Sequence, residues 1–135
     1  MTGPVQARIY ASSSARDTDW TVRLLDVYPD GRAINLSNGI IRARYRNSLT
    51  DTTLIKPGKI YCYNIDLWAT SNLFKEGHQI RVEVSSSNFP HYDRNPNTGH
   101  PFGMDAEMKV ADQKIYHDPA HPSHITLPII PEPIQ

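Results

Sequence analysis

The densest chemistry in the chain lies in residues 88–97, where Asn88, Phe89, His91, Tyr92, Arg94 and Asn95 follow closely on one another. Aromatic faces, a forked guanidinium and side-chain amides are a set able to recognise a sugar ring or a protein surface, since Tyr and Arg dominate interface anchors. The opposing reading is an internally tied loop, with Arg94 held by backbone carbonyls and Phe89 plugging the end of a core. Ser85, Ser86 and Ser87 stand just upstream. A serine nucleophile of the α/β-hydrolase kind needs G-x-S-x-G on a strained strand-to-helix turn. Here only Gly99 and Gly103 have that spacing, and Pro101 sits midway. The three serines therefore read as strand-end groups bonding to nearby backbone.

Three histidines, His117, His121 and His124, crowd the segment HDPAHPSH. Three imidazoles suit catalytic zinc. Reliable zinc pairs, however, lie one helical turn apart, and Pro119 and Pro122 exclude a regular helix. The competing reading is a proline-rich crossing whose histidines bond locally, and no metal is assigned. Asp17 and Asp19 flank Thr18 ahead of Trp20, but the glycine and terminal glutamate of a calcium loop are missing. They read as solvated groups at a strand entry.

The elements that must position these groups are strands. Residues 5–11 alternate apolar and polar, as do residues 60–68, where Tyr61, Tyr63, Ile65 and Leu67 share a face. Residues 79–84 place Ile80, Val82 and Val84 on one side and Gln79, Arg81 and Glu83 on the other. Residues 20–28 are apolar on both sides in places, as in a strand covered on both faces. Short strands are predicted over 113–117 and 125–129. Turns are predicted at Pro29-Asp30-Gly31, at Asn38-Gly39 and at Lys56-Pro57-Gly58-Lys59. Residues 47–54, 71–76 and 104–110 could each hold a short helix. About eight short strands divided by turns predict an all-β sandwich or barrel forming a single domain over residues 1–135.

Composition narrows the partners. Fourteen basic side chains balance fourteen acidic ones, so nothing favours phosphate neutralisation and nucleic acid is not an expected partner. No apolar run approaches a membrane span, and the first ten residues lack the charged-then-apolar order of a signal peptide. The single cysteine, Cys62, excludes an internal disulfide, reads as a buried structural thiol and points to the cytoplasm.

Several blocks carry a resemblance, in order along the chain: TGPV, then YASSSARDTDWTVRLLDVYPDGRAINLSNGIIRARYR, then PGKIYCYNIDLWATSNLFKEGHQIRVEVSSSNFPHYDRNPNTG, then YHDPAHPSHITLPII. Together they resemble the C-terminal non-catalytic domain of the X-Pro dipeptidyl-peptidase and cocaine-esterase group of serine hydrolases. The resemblance implies a jelly-roll-like, galactose-binding-domain-like β-sandwich packing against an α/β-hydrolase domain that holds the whole catalytic triad. No catalytic residue and no cofactor is implied here. Asn88, Phe89, Tyr92, Arg94 and Asn95 become candidates for interdomain or ligand contact. The family's domain usually begins with strands before the first matched block, so their absence predicts an uncovered apolar face and self-association through an edge strand. The alternative function is a stand-alone carbohydrate- or ligand-binding module, with Tyr92, Phe89 or Trp68 as the stacking platform.

Overall fold

In the computed structural model, which describes residues 1–101 and 103–131, seven strands form two antiparallel sheets. Strand β1 (Thr2–Ser13) is the centre of one sheet. It pairs along one edge with β4 (Tyr61–Ser71) and shares its other edge between β6 (Gln113–Tyr116) and β7 (His124–Thr126). Strand β2 (Asp19–Val27) is the centre of the other, flanked by β3 (Ala33–Arg42) and β5 (Gln79–Ser85).

Alternation explains the core. Val5, Ala7, Ile9 and Ala11 of β1 point inward with Tyr63, Ile65 and Leu67 of β4, and meet Trp20, Val22 and Leu24 of β2. β2 is covered on both faces as its apolar run predicts; only Arg23 is less than fully buried. The indole N–H of Trp20 and the phenol of Tyr63 are buried without a hydrogen bond of normal geometry. Burial pushes the Tyr63 phenol up to about 12.

The turns at residues 29–31 and 56–59 form as predicted. Tyr28 accepts from the Gly31 amide at 2.9 Å and Lys56 from the Lys59 amide at 3.1 Å, with Gly31 and Gly58 at φ +89° and +77°. Asn38-Gly39 is not a turn. Both residues lie inside β3, with Gly39 opposite Val22 and Asn38 opposite Arg23. Glycine is there because β3 presses against β4: a β-carbon on it would collide with the Asp66 carbonyl and stand 3.1 Å from Ile65 Cγ2. The Ser37 hydroxyl donates to the Leu67 carbonyl beside it.

No α-helix forms among the described residues; a single 3-10 turn, Ala43–Tyr45, follows β3. At 47–54 the Ser48 hydroxyl accepts from the amides of Thr50 and Asp51, a local turn that displaces a helix. Ser71 closes β4 rather than opening a helix, and 104–110 is irregular. Cys62 is exposed, not buried. With Tyr63, Ile65 and Leu67 inward, the period of two puts Cys62, Asn64 and Asp66 on the outer face of β4.

The sandwich is closed on one flank and open on the other. β3 meets β4 at Gly39 and Ser37. Opposite, β5 faces β6 and β7 across an open slot, and its inward-facing Ile80 and Val82 stay 52% and 40% exposed. One part of the slot, of about 260 Å³, lies between Val82 and Val84 on one wall and Ile115 and Ile125 on the other. A second, of about 240 Å³, is lined by Met1, Leu73, Phe74, Ile80, Leu127 and Ile129.

Candidate functional site

The loop after β5 is built on two buried carboxylates. Asp17 and Asp19 are 0% and 1% exposed. Isolated charges do not persist at such burial, so each needs full partners. Arg42 clasps Asp19 with two bonds, 2.8 Å from Nε and 2.9 Å from a terminal nitrogen. The Asp19 bond holds the Arg42 guanidinium above its usual range. Arg44 binds Asp17 through Nε at 2.8 Å and through its own amide at 3.0 Å. The expected solvated strand entry is therefore a desolvated ion-pair cluster. A signal for it existed: Asp17 and Asp19 are two apart, as are Arg42 and Arg44, and antiparallel pairing brings Asp19 opposite Arg42.

Asn95 ties the loop to this cluster. Its amide nitrogen donates to Asp17 at 3.0 Å and to Asp19 at 2.8 Å, and its oxygen accepts from the Asn97 amide at 2.9 Å. Arg44 donates onward to the His100 carbonyl at 2.9 Å, so the next segment is held by the same pair of charges. The structure divides four of the five candidates, and Asn88 enters only through its backbone carbonyl. Asn95 is a half-buried root. Tyr92 is a strut, its hydroxyl donating to Asn38 Oδ1 at 3.0 Å and its amide to the Asn88 carbonyl at 3.1 Å. Phe89 and Arg94 form the exposed tip, with the guanidinium 4.9 Å from the ring centre. Phe89 does not plug the core: it is 59% exposed, on a loop held to the sandwich through Tyr92 and Asn95 instead. Arg94 is engaged with this ring rather than with carbonyls.

Two of the three histidines of 117–124 bond locally. His121 Nδ1 contacts Asp118 at 3.0 Å and its ring lies between Tyr10 and Tyr116, while His124 Nδ1 donates to the Pro122 carbonyl at 2.7 Å. A different group, His100, Asp105 and Glu107, brings its potential metal-ligand atoms within 4.8 Å of one another. The Asp105 oxygens are engaged already, one by the Glu107 amide at 2.8 Å and the other by His100 Nδ1 at 2.7 Å. The Glu107 amide is the main cause holding the Asp105 carboxyl below its ordinary range. Lys109 Nζ stands 3.6 Å from Glu107. The set is a self-satisfied surface turn.

Fold and site together define a β-sandwich module whose most buried charges are committed to holding a loop in place. Comparison with known proteins sharpens that class. The chain belongs to the family described as the X-Pro dipeptidyl-peptidase C-terminal non-catalytic domain, which matches residues 1–126. It is 57% identical over 132 residues to the cocaine esterase of Rhodococcus sp. (strain MB1 Bresler), an alignment covering 96% of this chain and 23% of the esterase. Among solved structures it is similar to an α-amino acid ester hydrolase, with a TM-score of 0.87 and 35% identity over 93% of this chain and 22% of that one. It is also similar to an aminopeptidase from a marine sediment Thaumarchaeota archaeon, with a TM-score of 0.86 and 37% identity over 92% and 22%. The chain thus spans less than a quarter of the length of each of these relatives.

Proposed function

We propose that the chain serves as an accessory domain that packs against an α/β-hydrolase domain and helps shape its active site, while the chemistry is done by that partner. The open flank carries this reading. A domain that needed no neighbour would cover the inner face of β5, yet Ile80 and Val82 look into a slot with an apolar opposite wall. The occupant that fits is an extended segment of the hydrolase polypeptide, adding backbone bonds to the free edge of β5 and apolar side chains to the slot. The Phe89–Arg94 tip is the candidate for a second contact, presented outward by the Tyr92 and Asn95 anchors. The lone cysteine, without a disulfide partner, favours a reducing compartment such as the cytoplasm.

The test is reconstitution. The 135-residue chain is mixed with a cocaine-esterase-like hydrolase polypeptide truncated of its own matching C-terminal part. A one-to-one complex that forms with the native chain and is lost in Val82→Asp supports the reading. Absence of any complex, or turnover of p-nitrophenyl acetate by the chain alone above a denatured control, overturns it.

Alone, the chain has the same edge free, and β5 is self-complementary. In an antiparallel pair with Val82 opposite Val82, Arg81 meets Glu83 of the second copy and Glu83 meets its Arg81. Self-association through this edge is the expected state of the isolated chain, and a clean monomer by light scattering at high concentration would end that part of the proposal.

A further inference from the structure

The outer face of the β1 sheet carries a polar groove that the accessory role does not use. It is the face opposite the core, and it reaches the open flank only at His124. The registers set its floor in two rows: Asn64, Arg8 and His124 side by side, then Asp66, Gln6 and Thr126. These six side chains border a depression of about 380 Å³.

The hydrogen-bonding capacity of the floor is only partly engaged. Arg8 Nε donates to Asn64 Oδ1 at 3.0 Å, leaving the terminal guanidinium nitrogens of Arg8 and the amide nitrogen of Asn64 without partners among the described residues. His124 Nδ1 lies 2.7 Å from the Pro122 carbonyl, which can only accept. The proton of the neutral ring is therefore on Nδ1, and Nε2 offers a lone pair. Asp66 Oδ1 accepts from the Trp68 amide at 2.8 Å and Oδ2 is left over. Donors and acceptors thus stand side by side, and the charges of Arg8 and Asp66 cancel. Such a floor suits a neutral ligand whose neighbouring groups both donate and accept, which is the property of vicinal hydroxyls.

Trp68 supplies the independent observation. Between the pairs Pro4–Ala69 and Gln6–Asp66, β4 has two residues, Leu67 and Trp68, against the single Val5 of β1. This is a β-bulge, a device that re-aims a side chain. It buries Leu67 and leaves Trp68 72% exposed at φ +64°, a left-handed conformation that a bulky residue adopts only under strain. The indole has no ring partner among the described residues, so no aromatic packing there offsets that conformation. The backbone holding it is fixed by Asp66, a residue of the groove floor.

We propose that the groove is a binding site for a neutral saccharide, with Arg8, Asn64, Asp66 and His124 bonding its hydroxyls and the Trp68 indole, outside the groove's own lining but two residues beyond Asp66 on β4, as the stacking platform beside it. The geometry selects Trp68 over Tyr92, which is tied down as a strut, and over Phe89, already covered by Arg94. The proposal uses none of Ile80, Val82 or the free edge of β5, and survives or fails without the docking role of the open flank.

The probe is a panel of methyl glycosides of glucose, galactose and xylose, with cellotriose and charged glucuronate, titrated into the labelled 135-residue chain and followed by amide and indole NMR signals. Saturable shifts are expected at Arg8, Asn64, Asp66 and the Trp68 indole, with dissociation constants of roughly millimolar order and glucuronate weaker than glucose. Trp68→Gly and Arg8→Gln should each weaken binding by about tenfold or more. Trp68→Gly should at the same time raise the melting temperature, because glycine relieves the positive φ, so lost binding cannot be ascribed to lost folding. Ile80→Asp, in the part of the slot that shares no residue with the groove, should leave the titration unchanged. No saturable shift with any neutral sugar up to roughly 100 mM, or full binding by Trp68→Gly, overturns the site.

Discussion

The two flanks of this sandwich obey one patterning rule and end differently. On both, alternate residues of an outer strand turn toward the core: Ile65 and Leu67 on β4, Ile80, Val82 and Val84 on β5. On the β3–β4 flank the sheets close so tightly that only glycine fits at residue 39, and a serine hydroxyl bridges to the Leu67 carbonyl. On the β5 flank the facing strands β6 and β7 are four and three residues long and do not cover what lies opposite. Apolar alternation therefore states which side of a strand seeks burial. Whether burial is achieved depends on what stands across the gap, and here the difference separates a finished interior from an edge whose apolar side chains stay half-exposed.

The sharpest way to break the comparison is to disturb the closed flank. Gly39→Val puts a branched side chain into the Asp66 carbonyl, a backbone atom that cannot step aside. A loss of about 4–5 kcal/mol or outright failure to fold is expected in urea unfolding. Full stability would mean that the flanks do not meet as described. Asp19→Ala comes next, because it removes a fully buried carboxylate and with it the two-bond clasp to the Arg42 guanidinium. About 3–5 kcal/mol should be lost, and proteolysis should then nick residues 88–97, since Asn95 loses one of its two anchors. An intact loop in a destabilised protein would show that the carboxylates support the sandwich but not the loop.

Between the flanks, Tyr63 sharpens the contrast through pH. Its phenol titrates near 12 when folded against an ordinary value of 10.0. A raised folded value means the unfolded chain gives up its proton first. The stabilisation from keeping the phenol neutral is whole below pH 10 and drains away as the pH climbs toward 12. Two units correspond to about 2–3 kcal/mol at most. Tyr63→Phe should flatten that part of the alkaline stability curve relative to the native chain, and an unchanged slope would show that water reaches the phenol.

Much of this was legible from residue order. β1, β4 and β5 could be read because their alternation is strong, β2 because it is apolar on both faces, and the turns at Gly31 and Gly58 because their chemistry is local; β3 could not, because a turn signal lies inside it. Asn38-Gly39 misled because a turn signal and a close-packing glycine look the same until the opposite strand is known. Cys62 was misjudged as buried, although the inward set Tyr61, Tyr63, Ile65 already assigned it to the outer face. The Asp17–Asp19 cluster was half visible, as two pairs of opposite charge with the same spacing. Joining them required a register that no short-range pattern gives. The division of 88–97 into root, strut and tip was beyond reach for the same reason: Asn95 and Tyr92 find their partners many positions away.

The smallest stability effect belongs to the open flank. Val82→Ala removes methyl groups from a half-exposed site and should cost less than about 1 kcal/mol, where Leu24→Ala, directly across the pair in β2, should cost about 2–5. Equal losses would mean that the slot is closed in solution by the chain itself. Val82→Asp turns the same position into a probe of association. The carboxylate stays hydrated in the isolated domain and so spares its fold. In a β5–β5 pair it would lie opposite its own copy, two like charges facing each other over an apolar floor. Light scattering should then report a monomer. Charge reversal of Arg81 to Glu should weaken pairing, because it sets two glutamates facing across the seam, and it leaves the 2.8 Å ion pair of Glu83 with Arg23 in its own chain intact. Unweakened pairing in Arg81→Glu would place the contact elsewhere than the Val82-centred register of the β5 edge.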